Sequence, residues 1–175
     1  MLIVVLKIAN ELKELGTKLL KSGDVLNAKA KYNKGLRYLD VHPTLDTRDL
    51  ELEKKFIDLK ISLLLNSSLC ALKLGTAEDA RLVIKQMTRA LQAEGDPVKA
   101  AGTRAFSEAE KGKIYYRRAM GWTIVKELEK AFSDLEAAVK LVPGDGAIVN
   151  QLAATKKAIE TEKTKKRAAY GKMFA

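Results

Sequence analysis

The chain has 175 residues, 47% of them hydrophobic, and carries a formal net charge of +10. This length suits one domain or a short repeat array, and the apolar content is sufficient for a buried core. Only three prolines and eleven glycines interrupt the chain. Long regular elements are therefore expected, and the abundance of Ala, Leu, Lys and Glu predicts that they are helices. The single cysteine excludes an internal disulfide, which suits a reducing compartment.

The opening run MLIVVL is too short to span a bilayer, and no small-residue cleavage site follows it. It therefore predicts neither a membrane anchor nor a signal peptide. Because the chain starts so abruptly, it is interpreted as a piece of a larger protein. The positive charge brings nucleic acid, anionic membranes and acidic peptides into consideration as partners.

Apolar residues recur at helical spacing along almost the whole chain, and no strand-like alternation stands out. His42-Pro43 ends the second predicted helix and Gly75 ends the third, whereas Ser107 with Glu110 is a capping-box pattern at the start of the fifth. The fold class is therefore all-α, with seven helices predicted over about 3–22, 24–40, 47–74, 77–94, 108–125, 127–142 and 145–172.

Each pair of helices carries a small residue early in its second helix and a large apolar residue four positions later. The alanines of these pairs are 52 and 51 residues apart, whereas a tetratricopeptide repeat is about 34 residues long. The excess falls between the repeats, which are predicted over about 3–40, 47–94 and 108–142 of a single domain spanning 1–175. Such an α-solenoid binds partners on the concave face lined by the first helix of each pair. The pairs are Ala28 with Tyr32, Ala80 with Ile84, and Ala131 with Leu135.

Three stretches carry a family resemblance: LKIANELKELG and KYNKGLRYL in the first repeat, and KKRAAYGKMFA at the end. They are similar to the tetratricopeptide domain of large immunophilins of the cyclophilin-40 type, in a fungal variant, over nearly the whole chain. The resemblance implies a cytoplasmic co-chaperone module, without a cofactor, that docks the acidic C-terminal peptide of heat-shock protein 90. Heat-shock protein 70 is a second candidate partner. The resemblance also implies a separate peptidyl-prolyl isomerase domain in the parent protein, so this chain is not expected to be an enzyme.

Domains of this family grip the acidic peptide with five side chains that form a carboxylate clamp. The resemblance assigns these positions to Lys13, Thr17, Asn66, Lys113 and Arg117. Thr17 departs from the family's pattern, which has Asn there, and it lacks the reach and the second polar group of the amide. A weaker or tilted clamp, with water filling the gap, is the expected consequence.

The chemistry of these positions suits a ligand with two carboxylates independently of the resemblance. Lys113 and Arg117 lie four residues apart on one helix face, where like charges repel. A bound dianion would relieve this repulsion and accept charge-assisted hydrogen bonds. Asn66 interrupts the apolar run LLLNSSL, and a polar amide there needs either a core partner or a ligand.

The other candidates for chemistry have ordinary structural interpretations. His42 lies in a proline-containing loop without a second metal ligand at a suitable spacing, and Cys70 has no evident histidine partner. Trp122, Tyr115 and Tyr116 have the spacing of core residues rather than of a base-stacking platform. No phosphate-binding glycine loop or nucleophile elbow is present in the sequence. Neither catalytic residues nor a metal site are therefore predicted.

The last predicted helix is strongly basic: residues 151–175 contain seven cations and two glutamates. It could bind acidic peptide segments, serve as a calmodulin-type target or touch an anionic membrane. It could instead cap the solenoid, with Ile148, Leu152 and Ile159 covering the last repeat and the basic end solvated. The alternative function is a basic scaffold that binds polyanions or other proteins through this helix, with a decayed clamp. Nucleic-acid and membrane partners are not expected, and the oligomeric state stays open.

Overall fold

The computed structural model describes residues 2–40, 50–94 and 106–173, and these ranges contain no strand. The helix ends agree with the predicted ends to within three residues, so the all-α prediction is confirmed. His42 and Pro43 lie outside the described residues. The helices are α1 (Leu2–Lys21), α2 (Val25–Asp40), α3 (Leu50–Leu74), α4 (Ala77–Glu94), α5 (Glu108–Ile124), α6 (Leu128–Leu141) and α7 (Gly146–Met173).

Consecutive helices pack against one another along the array, from α1 on α2 to α6 on α7. In addition, α3 contacts both α1 and α5, so the first helices of the three hairpins are direct neighbours. This is the arrangement of an α-solenoid of three helical hairpins, with α7 as a final helix. None of the helices in the described ranges is long and apolar enough to cross a membrane.

The three hairpins are held by small residues at equivalent positions. The repeat alanines Ala28, Ala80 and Ala131 are completely buried. A second buried small residue lies 12 positions before each alanine, on the first helix of the hairpin. A Cβ atom on the first of these, Gly16, would lie 2.7 Å from the Tyr32 ring, so only glycine allows α1 and α2 to approach this closely. The three residues are Gly16, Ser68 and Ala119.

The turn inside each hairpin uses the left-handed backbone conformation five residues before the repeat alanine. The residues in this conformation are Gly23 (φ 87°), Gly75 (φ 70°) and Lys126 (φ 65°). In the third turn the Glu127 N–H donates to the Trp122 carbonyl (2.9 Å) and the Lys126 N–H to the Thr123 carbonyl (3.1 Å). These two bonds form a Schellman motif, in which the left-handed residue is usually glycine. Lysine therefore occupies a position in the third hairpin that favours glycine.

Three clusters of buried side chains follow one another along the array, within the first hairpin and α3, between α3 and α5, and between α5 and α7. Cys70 is completely buried in the first cluster, and burial raises the pKa of its thiol. Tyr115, Tyr116 and Trp122 are partly buried and pack against the third. These residues are therefore packing residues, in agreement with the sequence-based interpretation.

Local signals in the sequence also set the start of α5 and the position of α7. Ser107 and Glu110 form the predicted capping box, with each side chain accepting the other's backbone N–H (3.2 Å and 2.9 Å). Ile148 is buried in the third cluster, where α7 covers α6, and Ile159 is also buried, whereas residues 160–170 are all exposed. The first half of α7 thus caps the solenoid, and its basic second half extends into solvent.

Replacing Lys126 by Gly should stabilise the protein, because glycine adopts the left-handed conformation without the steric cost that a Cβ atom imposes. The expected gain is about 1 kcal/mol in the free energy of unfolding, measured by urea denaturation. The matched control is Gly75→Ala in the equivalent turn, which should lose a similar amount. A loss of stability in Lys126→Gly would contradict this explanation of the turn.

Candidate functional site

All five clamp positions assigned from the resemblance lie on the first helices of the hairpins. Lys13 and Thr17 are on α1, Asn66 is on α3, and Lys113 and Arg117 are on α5. These three helices are neighbours because α3 contacts both of the others. Asn66 and Arg117 also occupy the same position in successive repeats, since each lies two residues before the buried small residue of its helix.

The Arg117 side chain reaches from α5 to α3. Its Nη1 donates to the Leu65 carbonyl oxygen and to Ser68 Oγ (3.1 Å). The side chain is partly buried, and burial lowers the pKa of the guanidinium to about 10. Both acceptors are neutral, and no carboxylate in the described ranges pairs with Arg117. Its charge is therefore partly desolvated without a counter-charge, and its position next to Leu65 brings it beside Asn66.

The adjacent Arg118 has the opposite environment. Its Nε and Nη2 donate to the two carboxylate oxygens of Asp134 on α6 (2.8 Å and 2.6 Å), and Nη1 donates to Thr88 Oγ1 on α4 (3.3 Å). The guanidinium also lies over the Tyr115 ring, 5.6 Å from its centre. The hydrogen bonds that Arg118 donates to Asp134 raise the pKa of the guanidinium. Arg118 thus joins three helices inside the protein, and its charge is fully compensated.

Asn66 on α3 and Lys113 on α5 are the neighbouring polar groups of the candidate site. Asn66 is partly buried and Lys113 is exposed, and neither side chain has a hydrogen bond or ion pair in the part of the chain that the structure describes. The neighbouring serines are satisfied: Ser67 donates to Asn33 Oδ1 (2.6 Å), and Ser68 donates to the Leu65 carbonyl (2.9 Å). Of the two sequence-based alternatives for Asn66, the core partner is not found within these ranges.

Thr17 and Lys13 form the α1 end of the candidate site, and the Thr17 hydroxyl is engaged inside the protein. Its Oγ1 donates to the Lys13 carbonyl (2.9 Å) and lies 3.1 Å from the Tyr32 hydroxyl. Because the Thr17 proton is used by Lys13, Tyr32 acts as the donor in the second bond. The Lys13 ammonium has no recorded partner in the described ranges. Thr17 therefore supports the packing of α1 on α2, and its hydroxyl proton is not free for a ligand.

Two buried ion pairs between helices were missed at the sequence level. One is Arg118 with Asp134, and the other joins Lys29 on α2 to Asp79 on α4. Burial tends to raise the pKa of Asp79, but hydrogen bonds from Lys29 and Thr76 outweigh it, so the pKa is lowered. The sequence did contain a signal for the Lys29–Asp79 pair, because each of these residues adjoins a repeat alanine.

The chemistry of the site is that of anion binding. It offers ammonium, guanidinium and amide donors, and it contains no nucleophile paired with a base. Across the described residues, no group of His, Cys, Asp and Glu side chains could hold a metal ion. The buried carboxylates Asp79 and Asp134 both form ion pairs that join helices.

No family model matches the chain. A curated relative, peptidyl-prolyl cis-trans isomerase D of Cryptococcus neoformans, is 39% identical over 171 residues, which cover 97% of this chain and 43% of the relative. The chain thus spans less than half the length of that relative. The aligned part is the helical repeat region, and the isomerase domain indicated by the relative's name lies outside it.

Solved structures of tetratricopeptide domains have the same architecture. The C-terminal domain of a Plasmodium falciparum FK506-binding protein superposes with a TM-score of 0.73 at 21% identity, covering 94% of this chain and 96% of that one. The first such domain of Spaghetti (RPAP3), bound to the HSP90 peptide SRMEEVD, gives a TM-score of 0.57 at 21% identity, covering 88% and 97% of the two chains. At this identity the likeness establishes the fold, an all-α tetratricopeptide solenoid.

Replacing Arg118 by Ala should destabilise the protein by about 3 kcal/mol, because Asp134 would remain buried without its counter-charge. The measurement is the free energy of unfolding from urea denaturation. The double variant Arg118→Ala/Asp134→Ala should recover part of this loss, since it removes both charges. Equal losses of unfolding free energy in the single and double variants would show that the unpaired Asp134 charge is not the cause of the destabilisation.

Proposed function

Because the chain is a tetratricopeptide repeat domain homologous to part of fungal peptidyl-prolyl cis-trans isomerase D, we propose that it docks the acidic C-terminal peptide of heat-shock protein 90. It would act as the co-chaperone module of a cyclophilin-40-like isomerase. The observation that carries the proposal is the environment of Arg117: among the residues that the structure describes, its partly buried guanidinium is paired only with neutral acceptors. A ligand carboxylate would supply the missing counter-charge and form charge-assisted hydrogen bonds.

The other clamp positions complement Arg117 from different directions. Lys113 lies one turn earlier on the same helix and is exposed, and Asn66 lies next to the carbonyl that Arg117 contacts. A peptide that ends in aspartate carries a side-chain and a terminal carboxylate, so it can engage both cations while Asn66 pairs with a carboxylate or with peptide backbone. Lys13 adds a third cation at the α1 end.

Thr17 sets a limit on this clamp. Its hydroxyl proton is held by the Lys13 carbonyl, so the position contributes no donor to the ligand unless the side chain rotates. A bound water can bridge the gap at a small free-energy cost. We therefore infer a clamp with four direct donors, whose strength rests mainly on α3 and α5.

The bound ligand of a structural neighbour supports this ligand class. One structural neighbour holds a peptide ending in Glu-Glu-Val-Asp, which has the two terminal carboxylates that Lys113 and Arg117 require. The tail of heat-shock protein 70 is a second candidate because it also ends in an acidic pair of carboxylates. The proposal places the chain in the cytoplasm, where these chaperones are found.

A basic scaffold is the alternative, and the exposed second half of α7 favours it. Residues 160–170 are all exposed and include four cations and two glutamates. Binding of a polyanion to this segment would fall steeply with salt and would ignore peptide sequence. Binding in the clamp would require a free terminal carboxylate, so the two functions are experimentally separable.

Calorimetric titration with a peptide ending in Met-Glu-Glu-Val-Asp tests the proposal directly. We expect binding in the micromolar range, and loss of binding when the peptide carries a C-terminal amide. Lys113→Ala should weaken binding at least about tenfold, because a charge-assisted hydrogen bond contributes roughly 1.5–3 kcal/mol. Since Lys113 is exposed, this variant should leave folding unchanged.

The matched control is Lys34→Ala, which removes an exposed lysine from α2. It should bind the peptide as the unchanged protein does. Equal binding of the acid and the amide, or no binding of either, would contradict the clamp. The basic half of α7 would then become the leading site.

A further inference from the structure

A cavity of about 380 Å³ opens between α4 and the turn that joins α5 to α6. None of its lining residues belongs to the carboxylate clamp, which lies on the first helices of the hairpins. One side of the cavity is basic and another is apolar. Its lining residues are Arg81, Ile84, Lys85, Trp122, Val125 and Glu127.

Helices α4 and α5 approach each other closely beside this cavity. A Cβ atom on Gly121 would lie 2.9 Å from Ile84 Cγ1 and 3.1 Å from the Ala80 carbonyl oxygen. Gly121 is buried, and Trp122 follows it directly. The indole is therefore positioned by a tight helix contact, so the apolar wall is preformed and needs little ordering when a ligand binds.

A second contact holds Trp122 from the α6 side. The Lys130 ammonium lies 4.8 Å from the centre of the indole, within the range of a cation–π interaction. The same ammonium forms an ion pair with Glu127 Oε2 (3.1 Å). Glu127, the only carboxylate that lines the cavity, is thus already neutralised by Lys130.

The basic side has no such compensation. Arg81 and Lys85 lie four residues apart on α4, so their like charges share one face and repel. Both are exposed, and neither has a hydrogen bond or ion pair within the described ranges. An anion placed between them would relieve the repulsion beside a preformed apolar wall.

We propose that this cavity is a second docking site, which binds an internal acidic segment of a partner protein. An aliphatic side chain of the segment packs against Trp122, Ile84 and Val125, and a neighbouring carboxylate lies between Arg81 and Lys85. A nucleic acid fits less well, because Lys130 covers one face of the indole and Glu127 lines the cavity. The site lies outside the clamp, so the two can be occupied together.

The chain provides its own reporter, because Trp122 is its single tryptophan. The probe is the peptide acetyl-Glu-Glu-Leu-Glu-Glu-amide, whose blocked ends exclude binding in the clamp through a terminal carboxylate. We expect a saturable change in tryptophan fluorescence with a dissociation constant on the order of 100 µM, as befits a small open site. The analogue acetyl-Gln-Gln-Leu-Gln-Gln-amide should give no saturable change. Lys113→Ala should leave the response to the acidic probe intact, which separates this site from the proposed clamp.

The variant Arg81→Ala/Lys85→Ala should weaken binding of the acidic probe at least about tenfold, since it removes both cations that face the carboxylate. The matched control Lys34→Ala/Arg37→Ala removes the same number of charges from exposed positions on α2, and it should bind normally. Equal weakening in both variants would show that binding depends only on the net charge of the protein, and it would overturn the proposal. The proposal also fails if no saturable change occurs or if the uncharged analogue binds equally well.

Discussion

The close approach of paired helices at small buried residues is the constraint on which the rest of this structure depends. Gly16 against Tyr32, and Gly121 against Ile84, leave no room for a Cβ atom. Buried small residues recur at equivalent positions inside the three hairpins, at Gly16, Ser68 and Ala119, and Gly121 makes a similar contact between α5 and α4. Together these contacts fix the rotation of each helix about its own axis. That rotation decides which side chains face the core and which face solvent, so the positions of the proposed clamp residues follow from the packing.

The two adjacent arginines of α5 show how one helix serves both structure and binding. Arg118 points to the second helices of two hairpins and is compensated by Asp134. Arg117 points to α3, the first helix of the preceding hairpin, and within the described ranges only neutral oxygens accept its hydrogen bonds. A desolvated charge without a counter-charge costs stability, and proteins retain such a cost mainly where function requires it. The cations that lie close together in residues 113–118 thus have two roles. Arg118 is structural, whereas Lys113 and Arg117 have the proposed binding role.

Much of the fold could be predicted from the sequence because it depends on local chemistry. Helical periodicity located the helices, and Ser107 with Glu110 marked the start of α5 through a capping box. The break between α5 and α6 was also predicted, but the left-handed conformation of Lys126 was not, because glycine signals this conformation in the other two hairpins and lysine does not.

The candidate site was less predictable, since its properties depend on contacts between distant residues. Arg117 and Leu65 are 52 positions apart. No periodicity reveals that, in the described part of the chain, Arg117 donates to neutral oxygens while Arg118 pairs with a carboxylate. The engagement of Thr17 by Tyr32 likewise depends on how α2 packs on α1. The family resemblance supplied the positions, and the structure adds that Arg117 donates to two neutral oxygens, which favours the proposed carboxylate ligand.

The central claim is that Arg117 is retained for ligand binding at a cost to stability, and the variant Arg117→Met tests it most directly. Methionine fills a similar volume without a desolvated charge. The account predicts that this variant unfolds with an unchanged or higher free energy, whereas its affinity for the Met-Glu-Glu-Val-Asp peptide falls at least about tenfold. A variant that loses more than about 2 kcal/mol of stability and still binds the peptide would contradict it, because Arg117 would then be a structural residue.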